Sequence, residues 1–561
     1  MVKRILDFLN QEVRGLHQAA YLLGFFSFLS QILALIRDRL LAHSFGASHA
    51  LDIYYAAFRF PDFVFVAVAS MVSISVLIPL LTSKIEKGGG EAQHFISSIF
   101  SVFSFAIVIA SVILYVAMPK LLDIVFPKFI GDPYHEELIS LSRILLLSPV
   151  LLGLSNFFAS ITQVYKRFFI YALSPLLYNI GIIVGILFLY PSFGLKGLAW
   201  GVVIGAFLHF FIQVPFVFQK DLFPRFTFKL NIREIWKVVS QSLPRTLALS
   251  LNEIAEFLLI RFASLMSVGA ISIYNFAWNL QSVPLSIIGV SYSLAAFPTL
   301  SKLYATGNRE SFLDHIRTSA RHIIFLSLPV MSLFIVLRAQ IVRVILGSGY
   351  FDWSDTRLTA ATLAIFTLSL IPQSLVILLV RAYYSKGETK KPLFVSIFSS
   401  ILIVVLGFVF TRVYEHFPSF HYFFESLFRV TDVVGTEVLM LPLAYSIGLT
   451  VNLILLWVMF ENEFKGFSRS ILTTLFQSFS VAVIMGYVAY FVLTFVGNFI
   501  KLDTFLNVFS QGFIAGIVAI VCGIVVFKIM KSQELEAGIA TLKRKIWTTP
   551  VTVPEEKELA Q

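Results

Sequence analysis

The sequence is poor in charge. Asp, Glu, Lys and Arg make up only 13% of its 561 residues, about half the share of an ordinary soluble domain, and this excludes a water-filled globular surface. Cysteine is nearly absent: Cys522 is the only one and lies in an apolar run, so neither a disulfide framework nor a Cys-based metal site is expected. His135-Glu136-Glu137 has no second histidine at ligand spacing, and no metal is expected there. Neither a P-loop lysine motif nor a nucleophile elbow occurs. An ATP-driven pump and an α/β-hydrolase are thereby excluded, and no catalytic residue is assigned.

What the chain has instead is apolar length. Apolar residues reach 58%, 59 residues are Phe, and mean hydropathy is +0.85. The apolar runs are long and continuous rather than short and alternating, which selects helices over a barrel, since backbone groups in lipid must be satisfied internally. Cut at roughly 20 residues per crossing, the chain is an all-α polytopic membrane protein of about fourteen transmembrane helices. They fall near 16–42, 52–83, 93–118, 136–163, 169–190, 195–219, 238–265, 272–302, 314–338, 356–384, 392–412, 437–460, 468–497 and 506–530. Residues 1–15 read as an amphipathic segment on the membrane surface rather than a cleaved signal peptide, because no small-residue cleavage site stands out. A basic linker, 220–237, joins spans six and seven, and a tail, 531–561, follows the last span.

The net charge of +11 sets topology and does not point to nucleic acid. With the N-terminus inside, the inner connections hold Lys84 and Lys87, Lys166 and Arg167, the linker cations, Lys302 to Arg321, Lys386 to Lys391, and Lys528 to Lys545. The outer connections mix signs or lack charge. This is the positive-inside pattern, and both termini are expected in the cytoplasm.

The sequence also repeats itself. Gly46-Ala47, Ile53-Tyr54 and Phe58 recur as Gly269-Ala270, Ile273-Tyr274 and Phe276, and Ile78-Pro79 recurs as Phe297-Pro298. The period is roughly 220 residues and holds six spans, so the two copies run parallel about an axis along the membrane normal. The expected organisation is an N-lobe (16–219) and a C-lobe (238–460) around a central cavity, with the last two helices (468–530) outside the repeat. That is transporter architecture.

Charges within spans are costly, roughly 2.5–3.5 kcal/mol each on insertion scales, and so they face cavities or partners. Here they gather in the first two helices of each copy: Gln31, Arg37, Asp38, Arg39 and His43, then Asp52, Arg59 and Asp62, then Arg245, Asn252, Glu253, Glu256 and Arg261, then Asn275, Asn279 and Gln281. Arg37 offers a planar fork suited to phosphate; the competing reading pairs it with Asp38, Asp52 or Asp62. Arg39 and His43 belong to the outer interface, and Asp52 reads as a helix cap or loop residue. Arg59 lies deeper and is a candidate for the cavity. Glu253 and Glu256 share a helix face with Arg261 near it, which suits a proton or Na⁺ site or mutual neutralisation. Prolines 61, 79, 175, 244, 284, 298 and 392 lie in or beside spans, where bends adjust packing or form gates.

These residues carry a resemblance. Arg37-Asp38-Arg39-Leu40-Leu41-Ala42-His43-Ser44-Phe45-Gly46-Ala47, with Asp52 and Ala57-Phe58-Arg59-Phe60-Pro61, resembles the signature of the MurJ/MviN lipid II flippase family. Gly194 to Gly201, Phe297 to Ser301 with Gly307-Asn308, and Tyr384 to Pro392 are similar to further family segments. The resemblance covers about residues 15–530. It implies the multidrug/oligosaccharidyl-lipid/polysaccharide exporter fold, a polyprenyl-tail groove formed by the last two helices, and a cationic cavity for the pyrophosphate-sugar headgroup. The implied substrate contacts are Arg37, Asp38, Arg59, Asp52, Gln31, Arg261 and Asn279, with Glu253 and Glu256 as ion-coupling residues. No cofactor is implied beyond a coupling ion, Na⁺ or H⁺, or the membrane potential.

The sequence departs from the family's pattern in the cavity. Gln31 stands where the family carries an arginine, Phe65 and Val66 replace a pair of arginines, Ser70-Met71 an acidic-glycine pair, and Trp278-Asn279 an acidic-arginine pair. An insertion at 414–436 lengthens the outer loop before span twelve. The expected function is flipping of a polyprenyl-pyrophosphate-linked saccharide, lipid II first, by alternating access in the bacterial inner membrane. Another lipid-linked oligosaccharide, a cation-coupled small-molecule antiporter and a non-transporting scaffold are the alternatives. Membrane lipids and proteins of cell-wall synthesis are the expected partners of a monomer.

Overall fold

The computed structural model describes residues 16–69, 74–87, 90–165, 167–219, 222–500 and 504–539. The amphipathic segment 1–15, Ser70-Met71, Lys166, Lys220 and the tail from 540 onward lie outside the described residues, as do the side chains of Pro79, Lys87, Pro244 and Arg245. Every regular element among the described residues is a helix.

The first part of the chain forms α1 (Leu16–Phe45), α2 (His49–Ala57), α3 (Arg59–Val64), α4 (Ile74–Lys87), α5 (Glu91–Val125), α6 (His135–Leu145), α7 (Leu147–Val164), α8 (Phe168–Val184), α9 (Leu195–Phe211) and α10 (Val214–Gln219). After the basic linker come α11 (Ile232–Leu265), α12 (Ala270–Leu285), α13 (Ser291–Ala305), α14 (Arg309–Val336), α15 (Arg338–Ile345), α16 (Trp353–Thr367) and α17 (Leu370–Ser385). The remainder forms α18 (Lys390–His416), α19 (Pro418–Phe428), α20 (Met440–Glu463), α21 (Phe467–Gly497) and α22 (Phe505–Ile529). Helix starts follow local chemistry. Asn231 and Asn308 cap α11 and α14 through the amides of Glu234 and Ser311, and Asp352 with Asp355 builds a capping box on α16.

Among the described residues ten helical stretches are long and apolar enough to cross a membrane, or eleven if the bent pair α16–α17 is one span. The expected count of about fourteen is larger. The difference lies in three stretches, α1, α2 to α4, and α11, which hold the intramembrane charges. Arg37 and Asp38 sit on the first, Arg59 and Asp62 on the second, and Glu253, Glu256 and Arg261 on the third. Charged side chains set the first and third apart from the apolar spans, and the second is cut into helices of 9, 6 and 14 residues.

Contacts divide the chain into two compact units. The larger holds Met1–Val283, Ile341–Pro372 and Gly387–Leu456, and the smaller Pro284–Gln340, Gln373–Lys386 and Trp457–Gln561. In the larger unit α8 and α9 meet backbone to backbone. A Cβ on Gly181 would lie 2.2 Å from the Cα of Gly205, and one on Gly201 would lie 2.4 Å from the Cα of Gly185. Lipid supplies no hydrophobic drive between helices, so close approach at small residues provides the attraction. The linker is pinned to α5 by serines, with Ser97 and Ser101 accepting from the amides of Arg225 and Thr227. In the smaller unit α21 packs on α14 and α22 on α21 around Val481, Met485, Ala489, Ala519 and Phe527. Arg321 on α14 joins Glu534, beyond α22, at 2.7 Å. The outer faces of α21 and α22 present Phe476, Tyr487, Phe491, Phe513 and Ile529 to the surroundings, as lipid-facing helices do.

The repeat has a structural counterpart. Gly46 and Gly269 both adopt positive φ, +62° and +89°, and π-helical turns occupy matching places at Phe65–Ala69 and Ser286–Val290. A π turn re-aims the side chains beyond it and is frequent at functional sites.

The glycine seam gives a direct test. Gly201→Leu should destabilise the protein by about 1–3 kcal/mol through overpacking, read as a lower melting temperature in detergent. Gly24→Ala, where an added Cβ meets nothing within 4 Å, should leave it unchanged.

Candidate functional site

The charges of α1, α3, α11 and α12 meet inside the larger unit in two linked groups. In the first, the Arg37 guanidinium donates to Asp38 Oδ1 from Nε (2.9 Å) and NH2 (2.8 Å), and from NH1 to Asn179 Oδ1 at 3.3 Å. Asn279 donates to the other Asp38 oxygen at 3.0 Å, and Asn179 also donates to Ser30 Oγ at 3.3 Å. Asp38 is 2% exposed, while the Arg37 side chain keeps 20%. Arg37 is therefore an ion-paired cation whose side chain is not fully enclosed. Gln31 lies seven residues before Asp38, on the same face of α1, and is half-buried.

In the second group Arg59, 6% exposed, donates from NH1 to Glu256 Oε1 (3.2 Å) and from NH2 to Asn275 Oδ1 (2.9 Å). Glu253 and Asp62 lie within electrostatic reach of the same guanidinium. Tyr55 links the groups, being an electrostatic neighbour of Arg37, Asp38 and Arg59. Four carboxylates (Asp38, Asp62, Glu253, Glu256) thus face two guanidiniums, and the layer is acid-rich. Three buried donors here have no hydrogen-bond partner among the described residues: Tyr55 Oη, Arg59 Nε and Tyr274 Oη. Buried polar groups are almost always satisfied, so these mark space for water or a bound polar group.

Asp52 has a different task. Its Oδ2 accepts the Gly269 amide at 2.6 Å, and its Oδ1 accepts the Ser272 amide at 2.8 Å and hydroxyl at 2.7 Å. It caps the start of α12 from another helix, so its oxygens are engaged by the protein. The other Gly-Ala turn receives the same treatment: Asp355 Oδ2 accepts the Ala47 amide at 3.0 Å. Arg39 donates to the carbonyls of Val344 (2.6 Å) and Ile345 (3.1 Å), closing the C-terminal end of α15.

Arg261 is not brought to Glu253 and Glu256. It lines a separate cavity near the end of α11, while Glu256 goes to Arg59. Two members of the site, Asn179 and Asn275, are absent from the sequence-derived set of substrate contacts. The signal for both was an amide in an otherwise apolar span. Among the described residues no group of three or more His, Cys, Asp or Glu side chains is placed to hold a metal ion.

The fold is that of a multi-pass membrane transporter of the MATE type. It superposes on inward-facing and outward-facing MATE transporters of the MOP superfamily with TM-scores of 0.62 and 0.57, both at 15% identity, covering 80% and 82% of this chain and 99% of each of those. A lipid II flippase MurJ structure in an inward closed conformation gives a TM-score of 0.70 at 24% identity, over 92% of this chain and all of that one. Within this class the family is shown by sequence: the lipid II flippase MurJ family model matches residues 41–510, and the chain belongs to that family. A probable lipid II flippase MurJ of Buchnera aphidicola subsp. Schizaphis graminum is 29% identical over 511 residues, 89% of this chain and 94% of the relative. Lipid II flippase MurJ of Burkholderia cenocepacia is 24% identical over 410 residues, 72% and 80% of the two chains.

The Arg59–Glu256 pair sets a stability expectation. Arg59→Ala leaves Glu256 without its cation and should cost roughly 3–5 kcal/mol, while the double variant with Glu256→Ala should recover much of that loss. Melting temperatures of the two single variants and the double variant decide it.

Proposed function

We propose that the protein flips lipid II, a polyprenyl-pyrophosphate-linked saccharide, across the bacterial cytoplasmic membrane by alternating access. Membership of the MurJ family and the names of its relatives support this reading. The structural observation behind it is the buried polar layer, in which the Arg37 side chain keeps 20% of its surface exposed and three donors have no partner among the described residues. In this reading the sugar-phosphate headgroup satisfies those donors during passage. All fourteen expected stretches cross the bilayer as two six-helix lobes plus a final pair, both termini face the cytoplasm, and the final pair guides the polyprenyl tail. The protein moves its substrate without making or breaking bonds, works as a monomer, and meets proteins of cell-wall synthesis at the membrane.

The driver is the membrane potential or a Na⁺ or proton gradient, with Glu253 and Glu256 as the coupling groups. Cation binding there neutralises the excess of carboxylate just where an anionic headgroup must enter. That same excess favours a second reading, in which the cargo is another lipid-linked oligosaccharide or, in an antiporter of this fold, a small cation.

Arg37→Ala should fail to restore growth of cells depleted of their own lipid II flippase, at normal protein level, and Arg37→Lys should restore it partly. Full rescue by both Arg37→Ala and Arg59→Ala overturns the site. Failure of the unmodified protein, folded and inserted in those cells, overturns lipid II as the cargo.

A further inference from the structure

The insertion before span twelve is an ordered shelf. Proline at the first position starts α19, and Arg429 ends it in the left-handed conformation at φ +59°. Arg357 holds the returning segment through both oxygens of Asp432, at 2.6 and 2.7 Å, and through the Arg429 carbonyl. Inside, buried Glu425 accepts from Thr436 Oγ1 at 2.7 Å and pairs with His421 at 2.8 Å. Outside, Phe417, Tyr422, Phe423 and Leu427 are each more than half exposed. An eleven-residue helix that leaves Tyr422, Phe423 and Leu427 bare on one face and turns Glu425 and His421 inward suits the membrane interface. In the orientation given by positive-inside charge, that interface is the outer leaflet.

Behind the shelf, between the ends of α11 and α18, lies a cavity of about 900 Å³. Its apolar wall includes Phe262, Leu265 and Phe408, and its cations are Lys128, Arg261 and Arg412. The charged neighbours of Arg261 are already engaged. Glu437 accepts the Ser267 amide (2.9 Å) and hydroxyl (2.8 Å), and Glu415 pairs with Arg412 at 3.2 Å. Lys128 donates to the Met266 and Leu265 carbonyls. Arg261, half-buried, makes no ion pair and donates no hydrogen bond from its guanidinium to any described residue. Its planar fork is unfilled, and a fork of this geometry matches phosphate oxygens.

We propose that this cavity is an outer-leaflet site for the phosphate headgroup of a membrane lipid. Arg261 binds the phosphate, Arg412 and Lys128 stand at the rim, and the apolar wall takes the carbon skeleton next to it. The phosphate comes either from bulk anionic phospholipid or from a polyprenyl-linked saccharide resting there after passage. The site rests on the outward placement of this end of the molecule and is independent of the transport step.

Native mass spectrometry of the detergent-purified full chain, titrated with phosphatidylglycerol, a polyprenyl pyrophosphate or phosphate-free diacylglycerol, tests it. Both phosphate lipids should be retained over diacylglycerol. Arg261→Gln should weaken retention roughly tenfold, and Arg261→Lys should weaken it less. The exposed Arg412→Gln, which leaves the helices intact, should give a smaller loss and covers the case in which Arg261→Gln does not fold. Hydrogen exchange across 417–428 should slow on adding phosphate lipid to the unmodified protein and not to Arg261→Gln. Tighter retention of the polyprenyl probe identifies the carried lipid as occupant, and equal retention identifies bulk phospholipid. Equal retention of diacylglycerol, or phosphate-lipid retention unchanged in folded Arg261→Gln and in Arg412→Gln, overturns the proposal. None of these readouts needs transport, so they stand or fall apart from the rescue assay.

Discussion

A charge held within a membrane protein must have a partner, and the site of this protein is built around that constraint. Arg37 is held by Asp38 and Asn179, and Arg59 by Glu256 and Asn275. Each arginine meets a carboxylate and an amide, so each pair draws two or three helices together. Partnered in this way, a guanidinium can remain charged where an isolated one would be expelled. The arrangement leaves carboxylates in excess, so under the proposed function cation coupling and substrate passage become one electrostatic problem.

Much of this was legible in the sequence because apolar length and rare charges are one-dimensional signals. The long runs gave the spans, and the charges clustering in α1, α2 to α4, α11 and α12 marked where the site would form. Asp52 was readable as a cap from its place beside a Gly-Ala turn, although the helix it caps is α12 and not its own. That could not be read locally, because a cap supplied across the fold depends on how two distant turns are juxtaposed.

What escaped the sequence depended on rotation about helix axes. Arg261 lies five residues beyond Glu256, close enough to suggest a shared face, yet it opens onto another cavity while Glu256 turns to Arg59. Asn275 was read among the polar residues of its span and Asn179 was not singled out, and only the packing of their helices brings both to the arginines. The insertion at 414–436 was visible as extra length, but its order depends on Arg357, which approaches it from α16, and on the bond between Thr436 and Glu425 that closes it on itself.

The seam between α8 and α9 has one more consequence. Gly181 and Gly185 on one side and Gly201 and Gly205 on the other allow contact only where bare backbone meets bare backbone. Gly197 continues the second row, where an added Cβ would lie 2.4 Å from the backbone of Leu189. A side chain anywhere along either row would push the two helices apart and would shift Asn179, which α8 carries to its hydrogen bond with Arg37. The bare backbone of the seam thus sets the reach of a polar contact in the site.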